Sequence, residues 1–133
     1  MSERLKAIFI DFERTYRNLI EATNNAKTDL EIDGAIKRFE LCYELAWKII
    51  KEYLANLGII CKNPRDCFKY AYQNGLINDE NVWLEMIGVR NQLVHTYTSE
   101  QSREVFEKMR SKYIEAFENL YISIKKGVND VEY

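Results

Sequence analysis

At 133 residues, 47% of them hydrophobic, the chain is long enough to bury one real core and too short for two independent ones, so it reads as a single domain over 1–133. A net charge of −2 and a pI near 5.5 exclude a protein that grips nucleic acid through a broad basic surface, and any RNA contact must be local or transient. One proline and five glycines leave little punctuation for a sheet, while helical periodicity runs nearly end to end, which makes the chain all-α.

The spacing of apolar residues predicts a first helix over about Glu3 to Thr23, burying Leu5, Ile8, Phe12, Tyr16 and Leu19, followed by a polar linker from Asn24 to Thr28. The next helix, from about Leu30 to Leu57, carries Ile32, Ile36, Phe39, Tyr43, Ala46, Ile50, Tyr53 and Leu57 in alternating steps of four and three, and Gly58 supplies its stop. Asn63 caps a short third helix with Pro64 at its first position, and Gly75 ends it after Phe68, Ala71 and Tyr72.

Asn78 opens a fourth helix with Asp79 and Glu80 in its first turn, where negative charge favours the helix dipole. Its apolar positions Val82, Met86, Val89 and Leu93 lead toward His95. Thr98 and Gln101 form a capping box for a last helix that buries Val105, Met109, Tyr113, Ala116, Leu120 and Ile124, with Gly127 as terminator and a frayed tail from Val128 to Tyr133. The expected architecture is an up-and-down four-helix bundle with one additional short helix.

Cys42, Cys61 and Cys67 are odd in number and lack C-x-x-C spacing, and only one histidine could help them hold a metal. They read as reduced thiols packed as small apolar residues in a cytoplasmic protein, with no metal. No signal-type segment follows Met1, and no run approaches the ~18 apolar residues of a membrane span.

The chemistry concentrates in Arg90-Asn91-Gln92-Leu93-Val94-His95-Thr96-Tyr97, which holds the chain's only histidine. Histidine exchanges protons near neutral pH, and arginine is shaped to grip a phosphate through two parallel hydrogen bonds. Together they suit phosphodiester cleavage. Five residues on an ideal helix turn Arg90 and His95 about 140° apart, so one regular helix does not aim both at one phosphate. Either the helix ends near Val94 and His95 swings round in the following turn, or two copies meet across a two-fold axis.

Cleavage of RNA by its own 2′-hydroxyl needs a base and an acid, and a homodimer would supply two imidazoles where one chain has one. Arg90 would stabilise the phosphorane, and the scheme needs neither metal nor cofactor. Against this stand two structural alternatives: His95 as a histidine satisfying the last carbonyls of a helix, and Tyr97 as a packing aromatic.

The segments Phe39-Glu40 through Glu44-Leu45-Ala46-Trp47-Lys48, Asn63-Pro64-Arg65-Asp66-Cys67, Gly75-Leu76-Ile77 and Trp83 to Tyr97 resemble the nucleotidyltransferase substrate-binding protein family, a branch of the HEPN helical-bundle superfamily. The resemblance implies a HEPN-like fold and a small nucleotidyltransferase partner. It further implies a toxin–antitoxin pair in which Arg90 and His95 serve a metal-independent ribonuclease and Tyr97 receives adenylyl groups that silence it. Asn91 joins the supporting residues.

Glu40, Glu44, Trp47 and Lys51 share one stripe of the second helix. They form either a solvated ion-pair face with an exposed Trp47, or a surface that positions the motif or docks the partner, with Glu44 best placed to orient Arg90 or His95. The alternative function is a non-catalytic substrate-binding or accessory subunit of the nucleotidyltransferase. A plain dimerisation module would explain the seam and leave the motif unused.

Overall fold

The computed structural model describes residues 2–130, and every regular element in it is a helix. In chain order these are α1 (Glu3–Asn25), α2 (Asp29–Asn56), α3 (Pro64–Gln73), α4 (Glu80–Leu93), α5 (Ser99–Lys108), a π-helical turn (Met109–Tyr113) and α6 (Ile114–Asp130). The last three run on without a break. The long helices form the expected up-and-down bundle, and α3 is the additional short one.

Local chemistry sets most boundaries. Thr28 and Glu31 form a reciprocal capping box at the start of α2, and Thr98 and Gln101 form another at α5. Asn63 accepts from the Asp66 amide with Pro64 behind it. Gly58 and Gly75 adopt φ of 83° and 76°, the left-handed conformation that ends α2 and follows α3.

The structure corrects several expectations. Asp79, one residue beyond Asn78, caps α4 through its bond from the Val82 amide. Leu57 lies past the end of α2 and is 55% exposed, because the chain has already begun its turn. Gly127 does not terminate the last helix, which continues to Asp130. Its missing side chain makes room for Tyr53, whose hydroxyl would lie 3.0 Å from an added Cβ. Tyr72 is exposed, and the final residues of the expected frayed tail, 131–133, lie outside the described region.

Cys61 and Cys67 are joined in a disulfide with Cα atoms 5.2 Å apart, which overturns their reading as reduced thiols. It ties the loop after α2 to the first turn of α3. Cys42 alone is a free thiol, buried in the core.

One contiguous core links all the helices. α1 packs along α2 and against α6, α2 also meets α3 and α5, and α3 packs on α4. Trp83, Phe68, Phe117, Phe39 and Tyr113 are fully buried and in mutual ring contact, with Phe68 5.0 Å from Trp83 and Trp83 5.6 Å from Phe117.

The π turn solves a register problem. Val105, Met109 and Tyr113 lie in consecutive steps of four, each of which drifts about 40° round an α-helix. The wider turn absorbs the drift and keeps all three buried. It also brings the Tyr113 hydroxyl to Glu85 at 2.8 Å and Lys112 to the same carboxylate at 2.7 Å. Burial alone would raise the Glu85 carboxyl, but the bonds from Lys112 and Tyr113 outweigh it and leave its pKa lowered.

Burial pushes the phenols of Tyr16 and Tyr43 up to about 12, and burial with the Glu85 bond raises Tyr113 as well. An unfolded tyrosine ionises near 10, so the stability from keeping these phenols neutral is complete below that pH and is lost as pH rises toward 12. Unfolding free energy should therefore fall above about pH 10, by up to ~1.4 kcal/mol per pH unit for each tyrosine. Urea titrations across that range should show the fall, and Tyr43→Phe should make it shallower.

Candidate functional site

The end of α4 determines what the motif can do. The helix stops at Leu93 with Val94 as its C-cap, and the His95 amide donates to the Gln92 carbonyl at 3.1 Å in the turn that follows. Of the two routes to convergence, this is the first: His95 leaves the helix. It joins His95 to Arg90 by no hydrogen bond among the described residues, however, and of the two only His95 lines the adjoining cavity. The two side chains enter different environments.

Arg90 faces α2. Its Nε donates to Glu44 Oε1 at 3.2 Å, while Trp47 Nε1 donates to Glu44 Oε2 at 3.1 Å. One carboxylate thus holds both neighbours, and Lys51 lies over the Trp47 ring at 5.7 Å. Trp47 is half-buried against the core rather than exposed, because its indole lies along α2 toward Glu44. Among the described residues the Arg90 terminal nitrogens have no protein partner, so the two-pronged end of the guanidinium remains available.

His95 is exposed, and its ring makes no hydrogen bond among the described residues, which removes the reading in which it satisfies the last carbonyls of α4. With Tyr97 it lines a cavity of about 240 Å³ between the end of α4 and the first turns of α5. Tyr97 is half-buried, its ring packed on the core. Burial raises the phenol, and the carboxylates of Asp33 and Glu40 on α2 raise it further, so it stays protonated at neutral pH. Glu40 therefore belongs to the surroundings of Tyr97, and Glu44 to those of Arg90. Asn91 is exposed and makes no side-chain bond among the described residues.

The far wall of the cavity comes from Gln101, Glu104, Val105 and Lys108, which the motif itself did not reveal. A signal was present: the Thr98 capping box restarts the helix immediately after Tyr97, which obliges the first face of α5 to pack beside the motif. No group of three or more His, Cys, Asp or Glu residues among those described is arranged to hold a metal ion. No described helix is long and apolar enough to cross a membrane.

Glu44 and Arg90 are each more than a third exposed, so their ion pair contributes position more than stability. Glu44→Gln should stay within about 1 kcal/mol of the parent in urea unfolding. A larger loss would mean that the carboxylate supports the fold itself.

Comparison with known proteins gives concordant results. Residues 7–126 match the family model described as nucleotidyltransferase substrate binding protein like. A curated protein of Haemophilus influenzae, named "Probable ribonuclease HepT", is 30% identical over 122 residues, covering 84% of each chain. A solved structure from the same organism, described as the substrate-binding domain of a nucleotidyltransferase, superposes with a TM-score of 0.66 at 26% identity, covering 91% of this chain and 96% of that one. A tri-AMPylated HEPN toxin of Shewanella oneidensis, solved in complex with an MNT antitoxin, has the same fold, with a TM-score of 0.76 at 21% identity over 95% of this chain and 99% of that one.

Proposed function

The chain belongs to the nucleotidyltransferase substrate-binding protein-like family, and from that premise we propose that it is the HEPN-type subunit of a toxin–antitoxin pair, a metal-independent endoribonuclease silenced by its nucleotidyltransferase partner. The observation that carries the proposal is the state of the two motif side chains. Glu44 holds Arg90 by Nε and leaves its terminal nitrogens unpaired, while the His95 imidazole stands exposed and unengaged. A two-pronged ion pair or a helix cap would have consumed these groups.

On this proposal two copies associate so that each presents Arg90 and His95 around a shared axis. One His95 takes the proton of an RNA 2′-hydroxyl as its oxygen attacks the adjacent phosphorus. The second copy's His95 gives a proton to the departing 5′-oxygen, leaving a 2′,3′-cyclic phosphate and a free 5′-hydroxyl. Arg90 neutralises the charge that gathers on the phosphorane oxygens. Glu44 acts as a positioning residue, fixing the direction of the guanidinium.

Silencing would take place at Tyr97. The partner transfers an adenylyl group from ATP to the phenol oxygen, pyrophosphate leaves, and the phenol proton passes to a base that the partner supplies. The attached group adds bulk and negative charge where the substrate phosphate must lie. The protein named as a ribonuclease and the AMPylated HEPN toxin support this reading by similarity. The accessory-subunit reading draws on the acidic balance of the chain, −2 overall, which is poorly suited to holding RNA tightly.

Arg90→Ala and His95→Ala should each cut RNA at least ~100-fold more slowly than the unmodified parent, with unchanged far-UV circular dichroism, and should relieve the growth arrest caused by expressing the chain alone. Co-expression with the partner should add whole AMP masses to the parent and none to Tyr97→Phe. A stable complex with no added mass, together with an inert unmodified protein, would establish the accessory role instead.

A further inference from the structure

We propose that the cavity beside His95 is a nucleobase subsite: it receives one base of a ribonucleotide whose phosphate lies at the His95 mouth. The inference rests on the reading of His95 and Tyr97 given above and adds what that reading lacks, a means of choosing among nucleotides.

Size comes first. Pockets for drug-sized ligands run to about 300–1,000 Å³, so a cavity of about 240 Å³ suits a single base with part of its ribose. The floor is apolar, made by Val89, Leu93 and Val105, which are 5%, 9% and 8% exposed. Tyr97 provides the one aromatic face in the wall, half-buried and held by the core, so a base can stack on it without first ordering it.

The rim carries the groups that read base edges. The side chains of Gln92 and Glu104 make no hydrogen bond or ion pair among the described residues. Gln101 uses only its carbonyl oxygen, in the α5 capping box, which leaves its amide nitrogen free to donate. Amide and carboxylate side chains beside a stacking ring are the means by which proteins distinguish unpaired bases. Lys108 lies on the same face of α5, one turn beyond Glu104, and its ammonium makes no direct hydrogen bond or ion pair among the described residues, although its charge reaches Glu85, so it can meet a phosphate. Such a cavity needs no broad basic surface, in keeping with the charge of the chain.

Two sources present this chemistry, a nucleotide of the RNA substrate and an AMP attached to Tyr97. The test uses isotopically labelled, unmodified full-length protein and follows backbone amides by NMR. The probes are the four ribonucleoside 5′-monophosphates, ribose 5-phosphate, and a 2′-O-methyl RNA tetranucleotide that cannot be cleaved. The nucleotides and the tetranucleotide should shift the amides of Gln92, Tyr97, Gln101 and Glu104, and ribose 5-phosphate should not.

Tyr97→Ala should weaken binding about tenfold, whereas Tyr97→Phe, which keeps the ring, should stay within about twofold. Glu104→Gln, an exposed substitution, should change the order of affinities among the four bases. Absent shifts, shifts reproduced by ribose 5-phosphate, or an unchanged order in Glu104→Gln would each overturn the subsite.

Protein carrying AMP on Tyr97 separates the sources. Loss of the nucleotide response there places the tethered adenosine in the same pocket, and a retained response assigns the pocket to RNA alone. Nucleotide binding without any RNA cleavage would remove the ribonuclease reading and leave the subsite standing. Cleavage whose base preference is identical in Glu104→Gln would do the reverse.

Discussion

A chain of six aromatic rings sets where the candidate side chains can lie. It runs from Tyr43 on α2 to Phe68 on α3 and Trp83 on α4, then to Phe117 on α6, and returns through Phe39 on α2, which stacks on Tyr113 at 5.4 Å. Ring contacts are worth more than their area alone and tolerate few orientations. α4 is therefore held on three sides, by α3, by the last helix and, through Glu44 and Arg90, by α2. Arg90 lies seven residues beyond Trp83, about two turns along the same face, so its direction toward Glu44 follows from the burial of the indole.

The helix ends three residues later, at Leu93, and that ending divides the motif. Arg90 stays within the bundle geometry and is held by Glu44, while His95 and Tyr97 pass to a turn that faces α5. The contrast in environment matches the contrast in task that the proposed reaction assigns to them. A guanidinium that must meet a phosphate benefits from a fixed direction, whereas an imidazole that exchanges protons must remain open to solvent and substrate. The separation within one chain is also why the proposed reaction calls for a second copy.

The remaining polar contacts support that frame without entering the site. Glu85 joins Lys112 and Tyr113 across the π turn, and the Tyr121 hydroxyl donates to Glu13 beside Arg17, tying the last helix to α1. The Cys61–Cys67 disulfide anchors the loop that leads into α3, on which Trp83 rests. It escaped a reading by spacing because two cysteines six apart become neighbours only when the intervening loop turns back and Asn63 starts a helix. Gly127 misled for a related reason: a glycine near a helix end usually marks the stop, and here it makes room for Tyr53 from a helix distant in sequence.

Periodicity and capping residues are local properties, so the sequence alone specified the all-α class, the order of the helices and the stops at Gly58 and Gly75, and it marked Arg90 to Tyr97 as the candidate segment for chemistry. The stripe from Glu40 to Lys51 was equally visible, because helical spacing puts its members on one face. The tertiary structure alone decided which partner each of them has: Glu44 with Arg90 and Trp47, Glu40 near Tyr97, and α5 opposite His95. Those pairings span up to 57 residues of chain, from Glu40 to Tyr97, and depend on how helices rotate about their axes when the aromatic core closes. A few tens of degrees there separate a shared site from a divided one, and no local signal records that angle.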